Sequence, residues 1–198
     1  MNLDSDNAST EESNCCVFDE LDAEITSNEV EKVINLLKRS KSHGLDLLLN
    51  EYFIELCDFL LPFIVKLFNA VLENGHFPKS WCEAIVIPVY KNKGNIDFTN
   101  NYRGISLLSN LAKLFTAVLN QRLLKWACEN DIISDAQFGF RQSHGTADAI
   151  FVLHSLINRT LSDKKRLYCC FVDYKRAFDS INRTKLWMKR SRVGTRGK

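Results

Sequence analysis

The stretch LYCCFVDYKRAFDSINRTKLW occupies Leu167–Trp187. It begins as an apolar run, sets a lone carboxylate, Asp173, near the end of that run, and follows it with Lys175, Arg176, Phe178 and Asp179. In RLYCCFVDY both alternating faces are apolar, which predicts a strand in a central, covered position of a sheet. A carboxylate at the end of a buried strand costs free energy unless something pairs with it. Two readings of Asp173 fit: a ligand for a hard divalent cation, which favours carboxylates together with phosphate oxygens, or a surface carboxylate closing the strand. In the first, Lys175 and Arg176 face phosphates and Phe178 lies under a sugar. Asp179 reads as the N-cap of a helix running through INRTKLWMKR.

Upstream, the hydrophobic period alternates between that of helices and that of strands. TSNEVEKVINLLKRSK pairs Thr26 with Glu29 three residues on, a capping box, and places Val30, Val33, Ile34 and Leu37 at helical spacing. KSHGLD is expected to break that helix at Gly44. A second helical pattern runs from about Leu47 to Asn74, with Pro62 marking a boundary or the first turn of a second helix and Asn74-Gly75 the end. EAIVIPVY changes to β-branched and aromatic residues, a strand that Pro88 confines to an edge or a bulge. The polar KNKGNIDFTNNYR that follows is a hairpin tip or a flexible loop. SNLAKLFTAVLNQRLLKWACEN is the clearest helix, with Ser109 as its cap. Another follows a Gly-punctuated turn, from about Thr146 to Leu161. The order of helices, strand pair, helices, strand and helix predicts an α+β or mixed α/β domain.

Composition narrows the class. The chain has 198 residues, 45% hydrophobic and 25% charged, the balance of a globular domain. Net charge is only +2, but residues 1–31 hold ten Asp/Glu and no Lys or Arg, whereas residues 140–198 hold fourteen Lys/Arg against four Asp/Glu. The basic third suits a polyanion such as nucleic acid, or is simply a solvated basic surface. Residues 1–18 are expected to be a disordered acidic lead. The seven cysteines form no C-x-x-C pair, which argues against a zinc site or disulfide framework and for a reducing interior. The N-terminus lacks the pattern of a secretory signal, so an intracellular location, nuclear or cytoplasmic, is expected. The longest apolar patch is interrupted by Asp58, Pro62 and Lys66, and no membrane association is expected.

Five blocks together carry a resemblance. KSHGLDLLLNEYF, LFNAVLENGHFPKSWCEAIVIPVYKNKG, NYRGISLLSNLAKLFTAVLNQRL, AQFGFRQSHGTADAI and FVDYKRAFDSI resemble, in order and spacing, segments of the reverse transcriptase of non-LTR (LINE-type) retrotransposons. The resemblance implies a right-hand polymerase fold, helix-rich with a short, mostly antiparallel sheet. Residues 19–80 would form a helical linker and the start of the domain, 81–165 the fingers, and 166–198 a partial palm with the first catalytic motif. It implies that Asp173 is one of three carboxylates holding two Mg²⁺ ions, and that the main-chain carbonyl of Tyr174 is a further ligand. Phe178 matches the aromatic gate that disfavours ribonucleotides. Arg103 matches a fingers residue that meets the incoming triphosphate, and Lys91 matches a fingers lysine with a similar task. Gln137 and Arg141 match a block near template and nucleotide, although for Arg141 a surface salt bridge is the competing reading. RNA template, DNA primer and dNTPs would be the partners.

The same family carries two further catalytic aspartates side by side, and no Asp-Asp pair occurs in this sequence. The expectation is therefore a fragment, fingers and front palm, that does not polymerise DNA by itself. The alternative is a remnant that grips nucleic acid without chemistry.

Overall fold

The computed structural model describes residues 19–141, 143–174, 177–178 and 180–193. Seven helices are described: α1 (Asp19–Asp22), α2 (Ser27–Asn35), α3 (Asn50–Glu55), α4 (Cys57–Asn74), α5 (Asn110–Glu129), α6 (Thr146–Ser162) and α7 (Arg183–Arg192). Two strands, β1 (Ala84–Tyr90) and β2 (Tyr102–Leu108), form an antiparallel pair. This is the helix-rich α+β class with a short antiparallel sheet, in keeping with partial fingers and palm. The chain divides into two compact units, one reaching Trp126 and the other covering Ala127–Val193. No helix among the described residues is long and apolar enough to cross a membrane.

The core of the first unit follows from the periodic positions. Val30, Val33 and Ile34 of α2, Phe53 of α3, Ile64, Phe68 and Val71 of α4, and Leu114, Phe115 and Val118 of α5 are buried in one cluster with Trp81. Phe68 meets Phe115 at 5.1 Å between ring centroids and Trp81 edge-on at 6.2 Å. Such aromatic pairs contribute beyond the area they bury. The predicted caps form. Thr26 Oγ1 accepts from the Glu29 amide while Glu29 accepts from the Thr26 amide. Ser109 Oγ accepts from the Ala112 amide at 3.2 Å and opens α5. Gly75, at φ 61°, closes α4 in the left-handed region that glycine reaches without strain.

Three features depart from the sequence expectations. The break in the long helical pattern falls at Leu56, and Pro62 lies inside α4. A second helix does begin between Leu56 and Pro62, but Pro62 is its sixth residue, past the first turn, so α4 forgoes one amide-to-carbonyl bond there. Second, α2 ends at Asn35, well before Gly44. Gly44 instead packs against the end of β2: a Cβ there would stand 2.6 Å from the Leu108 carbonyl carbon and the Ser109 nitrogen. Neighbouring backbone is held to the same place, because Asn110 Nδ2 donates to the Leu48 carbonyl at 2.7 Å. Gly44→Ala is expected to destabilise the protein by about 1–3 kcal/mol, the usual cost of overpacking. The midpoint of urea unfolding would show it; an unchanged midpoint would mean the contact is loose.

Third, residues 165–174 form neither helix nor strand and are exposed throughout. A strand exists only through a ladder, and no segment among the described residues pairs with this one. The apolar pattern of RLYCCFVDY states what the segment would do beside a partner strand. In the second unit only Ala127 among the described apolar residues is buried, so α6 and α7 form from local signals. The amide of Gly145 donates to Asp148 Oδ2 at 2.7 Å at the start of α6, and Asn182 Oδ1 caps α7 by accepting from the Lys185 amide at 3.1 Å. The cap expected of Asp179 is thus supplied by Asn182. Asp179 itself, like Lys175, Arg176 and the acidic lead of residues 1–18, lies outside the described residues.

Candidate nucleotide and nucleic-acid site

In the first unit the functional candidates sit on the β1–β2 hairpin. Its register pairs Val89 with Arg103 and Tyr90 with Tyr102. The ladder continues one step further, because the Lys91 amide donates to the Asn101 carbonyl at 2.8 Å. Directly opposed residues share a face, and alternate residues return to it. Lys91 and Arg103 therefore stand diagonally adjacent on one face, above Ile87, Val89 and Ile105. The opposite face carries Tyr90 and Tyr102, whose rings lie 5.4 Å apart.

The hairpin tip is tied down, which settles the choice between tip and flexible loop. Asn101 Nδ2 donates to the Asn95 carbonyl at 2.7 Å, the Asp97 amide donates to Asn95 Oδ1 at 3.1 Å, and the Tyr90 hydroxyl donates to the Gly94 carbonyl. Gly94 has φ 85°, and a side chain there would also strike Asn101. Lys91 Nζ donates to the Asn100 carbonyl at 2.7 Å, keeping its ammonium at the tip. Arg103 is exposed, and its side chain makes no hydrogen bond or ion pair among the described residues. Its guanidinium is available as a planar fork for an oxyanion, the geometry in which arginine binds phosphate and carboxylate.

In the second unit, Gln137 and Arg141 close a turn. The Gln137 amide donates to the Ser134 carbonyl at 2.9 Å, and Gln137 Nε2 reaches the Gly139 carbonyl at 3.4 Å. Arg141 Nη1 donates to the Ser134 carbonyl at 3.2 Å, and both of its terminal nitrogens lie 3.2 Å from Asp135 Oδ1. The salt-bridge reading of Arg141 therefore has a concrete partner. That carboxylate is 99% exposed, so the pair is worth little, and the carbonyl contact does more to shape the turn. Asp173 and Tyr174 are exposed on the irregular segment. Phe178 is exposed as well and meets Phe140 edge-on, with centroids 6.2 Å apart. On α7, Lys185, Lys189 and Arg192 recur at helical spacing, forming a basic stripe beside Met188.

A divalent cation would need several oxygen ligands. Among the described residues no three histidine, cysteine or acidic side chains come together to hold one. Asp173 alone supplies a carboxylate, so these residues do not by themselves make a seat for Mg²⁺.

One strong electrostatic feature escaped the sequence reading. Arg122 of α5 clamps Glu29 of α2 through two bonds, Nε to Oε1 at 2.6 Å and Nη2 to Oε2 at 2.9 Å. It also donates to the carbonyls of Ala23 at 2.6 Å and Glu24 at 2.8 Å. The Arg122 guanidinium beside Glu29, helped by the bonds from Thr26, lowers the carboxyl from 4.5 to about 2 against the opposing effect of burial. Glu29 was visible as a capping residue; its partner lies 93 residues away, and no local pattern announces it.

Comparison with known proteins bears on the family of the chain. The family model described as reverse transcriptase (RNA-dependent DNA polymerase) matches residues 90–198. The chain is 34% identical over 172 residues to the RNA-directed DNA polymerase from mobile element jockey of Drosophila melanogaster, an alignment covering 85% of this chain and 18% of that protein. It is 32% identical over 157 residues to the probable RNA-directed DNA polymerase from transposon BS of the same organism, covering 79% of this chain and 17% of the relative. A type-1 retrotransposable element R2 Pol polyprotein of Nasonia vitripennis is 26% identical over 118 residues, covering 60% and 11%. The chain thus spans less than a fifth of the length of the curated relatives it matches.

Proposed function

The chain belongs to the reverse transcriptase family, within its non-LTR retrotransposon-associated group of RNA-directed DNA polymerases, and from that premise we propose that it forms the fingers and front palm of such a polymerase. Nucleotide addition, RNA template, DNA primer and dNTPs belong to the whole polymerase in this reading. The observation that carries it is the pairing of Lys91 and Arg103 on one face of a rigid hairpin, with the Arg103 guanidinium free to meet a triphosphate. A hairpin whose tip is fixed by its own hydrogen bonds holds the backbone positions of those two residues in register, so the chain itself needs little ordering when the phosphates arrive.

The remaining assignments follow the family positions. Asp173 and the carbonyl of Tyr174 would be this segment's contributions to an Mg²⁺ site completed elsewhere in the polymerase, where the ion would offset charge on the transferring phosphates. Phe178 faces the sugar. Gln137 and Arg141 lie along the template strand, with Arg141 also shaping its own turn through Ser134.

Arg103→Ala tests the proposal in the polymerase carrying this segment. KM for dNTPs is expected to rise about 10- to 100-fold, the worth of a charge-assisted bidentate contact, while affinity for an RNA–DNA primer-template stays within about twofold. An unchanged KM would remove Arg103 from the nucleotide site. The basic stripe on α7 favours a second reading, a grip on nucleic acid without chemistry. In that case Arg103→Ala would leave KM alone, and binding would fall steeply with salt.

A further inference from the structure

We propose that Phe140 is a positioning residue for Phe178, fixing where that ring stands and thereby setting how well the polymerase rejects ribonucleotides; this rests on the assignment of Phe178 as the sugar gate. Residues 165–174 form no strand or helix, and α7 does not begin until Arg183. Phe178 therefore lies outside the described strands and helices, so its ring is not carried by a regular element. Its ring does have a partner. Phe140 meets it at 90° with centroids 6.2 Å apart, the edge-to-face geometry that the aromatic quadrupole favours.

Burial does not account for the pair, because Phe140 is 87% and Phe178 77% exposed. Backbone preference does not account for Phe140 either. It sits at φ 59°, in the left-handed region where a bulky side chain is strained and glycine is not. A turn needing only that conformation would be better served by a second glycine after Gly139. Strain kept at an exposed aromatic is a pointer to use.

The mount is also firmer than the ring it holds. On one side of Phe140, Gln137 Nε2 bonds the Gly139 carbonyl; on the other, Arg141 bonds the Ser134 carbonyl and Asp135. Phe140 thus projects from a turn cross-tied before and after it. A gate discriminates a single hydroxyl only if its ring is held closely, and a partner contact of this kind holds it. This gives the Q-x-G-F-R block a task apart from template contact.

Two measurements decide the matter. In the chain itself, 4-fluorophenylalanine placed at position 178 reports its ring environment by ¹⁹F NMR. Phe140→Gly, which suits the local φ and so preserves the turn, is expected to shift that resonance, and Phe140→Tyr to restore it. A resonance indifferent to Phe140→Gly overturns the contact. In the polymerase carrying the segment, the readout is the ratio of kcat/KM for dNTP over rNTP. Phe140→Gly should lower that ratio about 2- to 10-fold, the range of an edge-to-face pair, with Phe140→Tyr near wild type. Added to Phe178→Ala, it should lower the ratio no further. A full effect of Phe178→Ala with none from Phe140→Gly overturns the positioning role alone. No effect of Phe178→Ala overturns the gate and, with it, the proposal.

Discussion

Asp173→Ala is expected to abolish nucleotide addition by the polymerase carrying this segment, with a fall in kcat of about 10³-fold or more, the scale seen when a group that meets charge in the transition state is lost. Alanine has no oxygen to offer a cation. The structure makes this substitution an unusually clean test. Asp173 is exposed, lies on a segment without regular structure, and makes no hydrogen bond or ion pair among the described residues. Its removal leaves no buried partner unsatisfied, so stability should change by no more than about 0.5 kcal/mol. Primer-template binding should likewise persist. Primer extension and fluorescence-anisotropy binding on one preparation separate the outcomes. Loss of extension with binding intact supports the catalytic assignment. Loss of both, accompanied by a lower unfolding midpoint, would mean the residue holds structure instead.

Where the determinants are local, the fold was legible in the sequence. The capping box at Thr26 and Glu29 and the cap at Ser109 need only a few adjacent residues, and all appear as read. The change from helical to alternating period located the hairpin. Legibility failed where the cause lies elsewhere in the chain. Gly44 resembles a helix stop, but its role is set by the backbone of Leu108 and Ser109, distant in sequence. Pro62 looks like a boundary, yet the packing of α4 around Ile64, Phe68 and Val71 carries the helix through it. The strand at Leu167–Tyr174 was read from an apolar pattern that specifies burial without supplying the partner.

The site divides the same way. Arg103 was named from the sequence, and the hairpin register gives it a face and a neighbour in Lys91. Phe178 was named too, but its contact with Phe140 joins two blocks that no spacing rule connects. Gln137 and Arg141 were read as template residues; the geometry adds that both brace their own turn, so substitutions there will mix shape with contact. Arg141→Lys therefore says less about template than Arg103→Ala says about nucleotide, since a point charge cannot reproduce a fork that reaches both Ser134 and Asp135.

Arg122→Ala should be the most damaging change to the first unit outside its apolar core, with a loss of about 1.5–3 kcal/mol, the worth of hydrogen bonds to a charged group in a partly desolvated pair. The Arg122 side chain is only 10% exposed and Glu29 29%. Its removal takes a guanidinium from the carboxylate, which keeps its Thr26 bonds, and from the carbonyls of Ala23 and Glu24, which lie at the surface. The same clamp dictates an acid limb of stability. Glu29 has a folded pKa near 2 against an ordinary 4.5. The depressed value means that its contribution is fully present above about pH 4.5 and drains away as pH falls toward 2. Urea unfolding of the wild type should therefore lose stability between pH 5 and pH 2.5. Arg122→Ala should start lower and slope less over that window, because the main cause of the depressed pKa is gone. Arg122→Lys should recover only part of the difference, since a single ammonium cannot satisfy Glu29 and two carbonyls in the same plane. Parallel acid limbs in wild type and Arg122→Ala would show that other carboxylates govern the acid response, and that the bond between α2 and α5 contributes little.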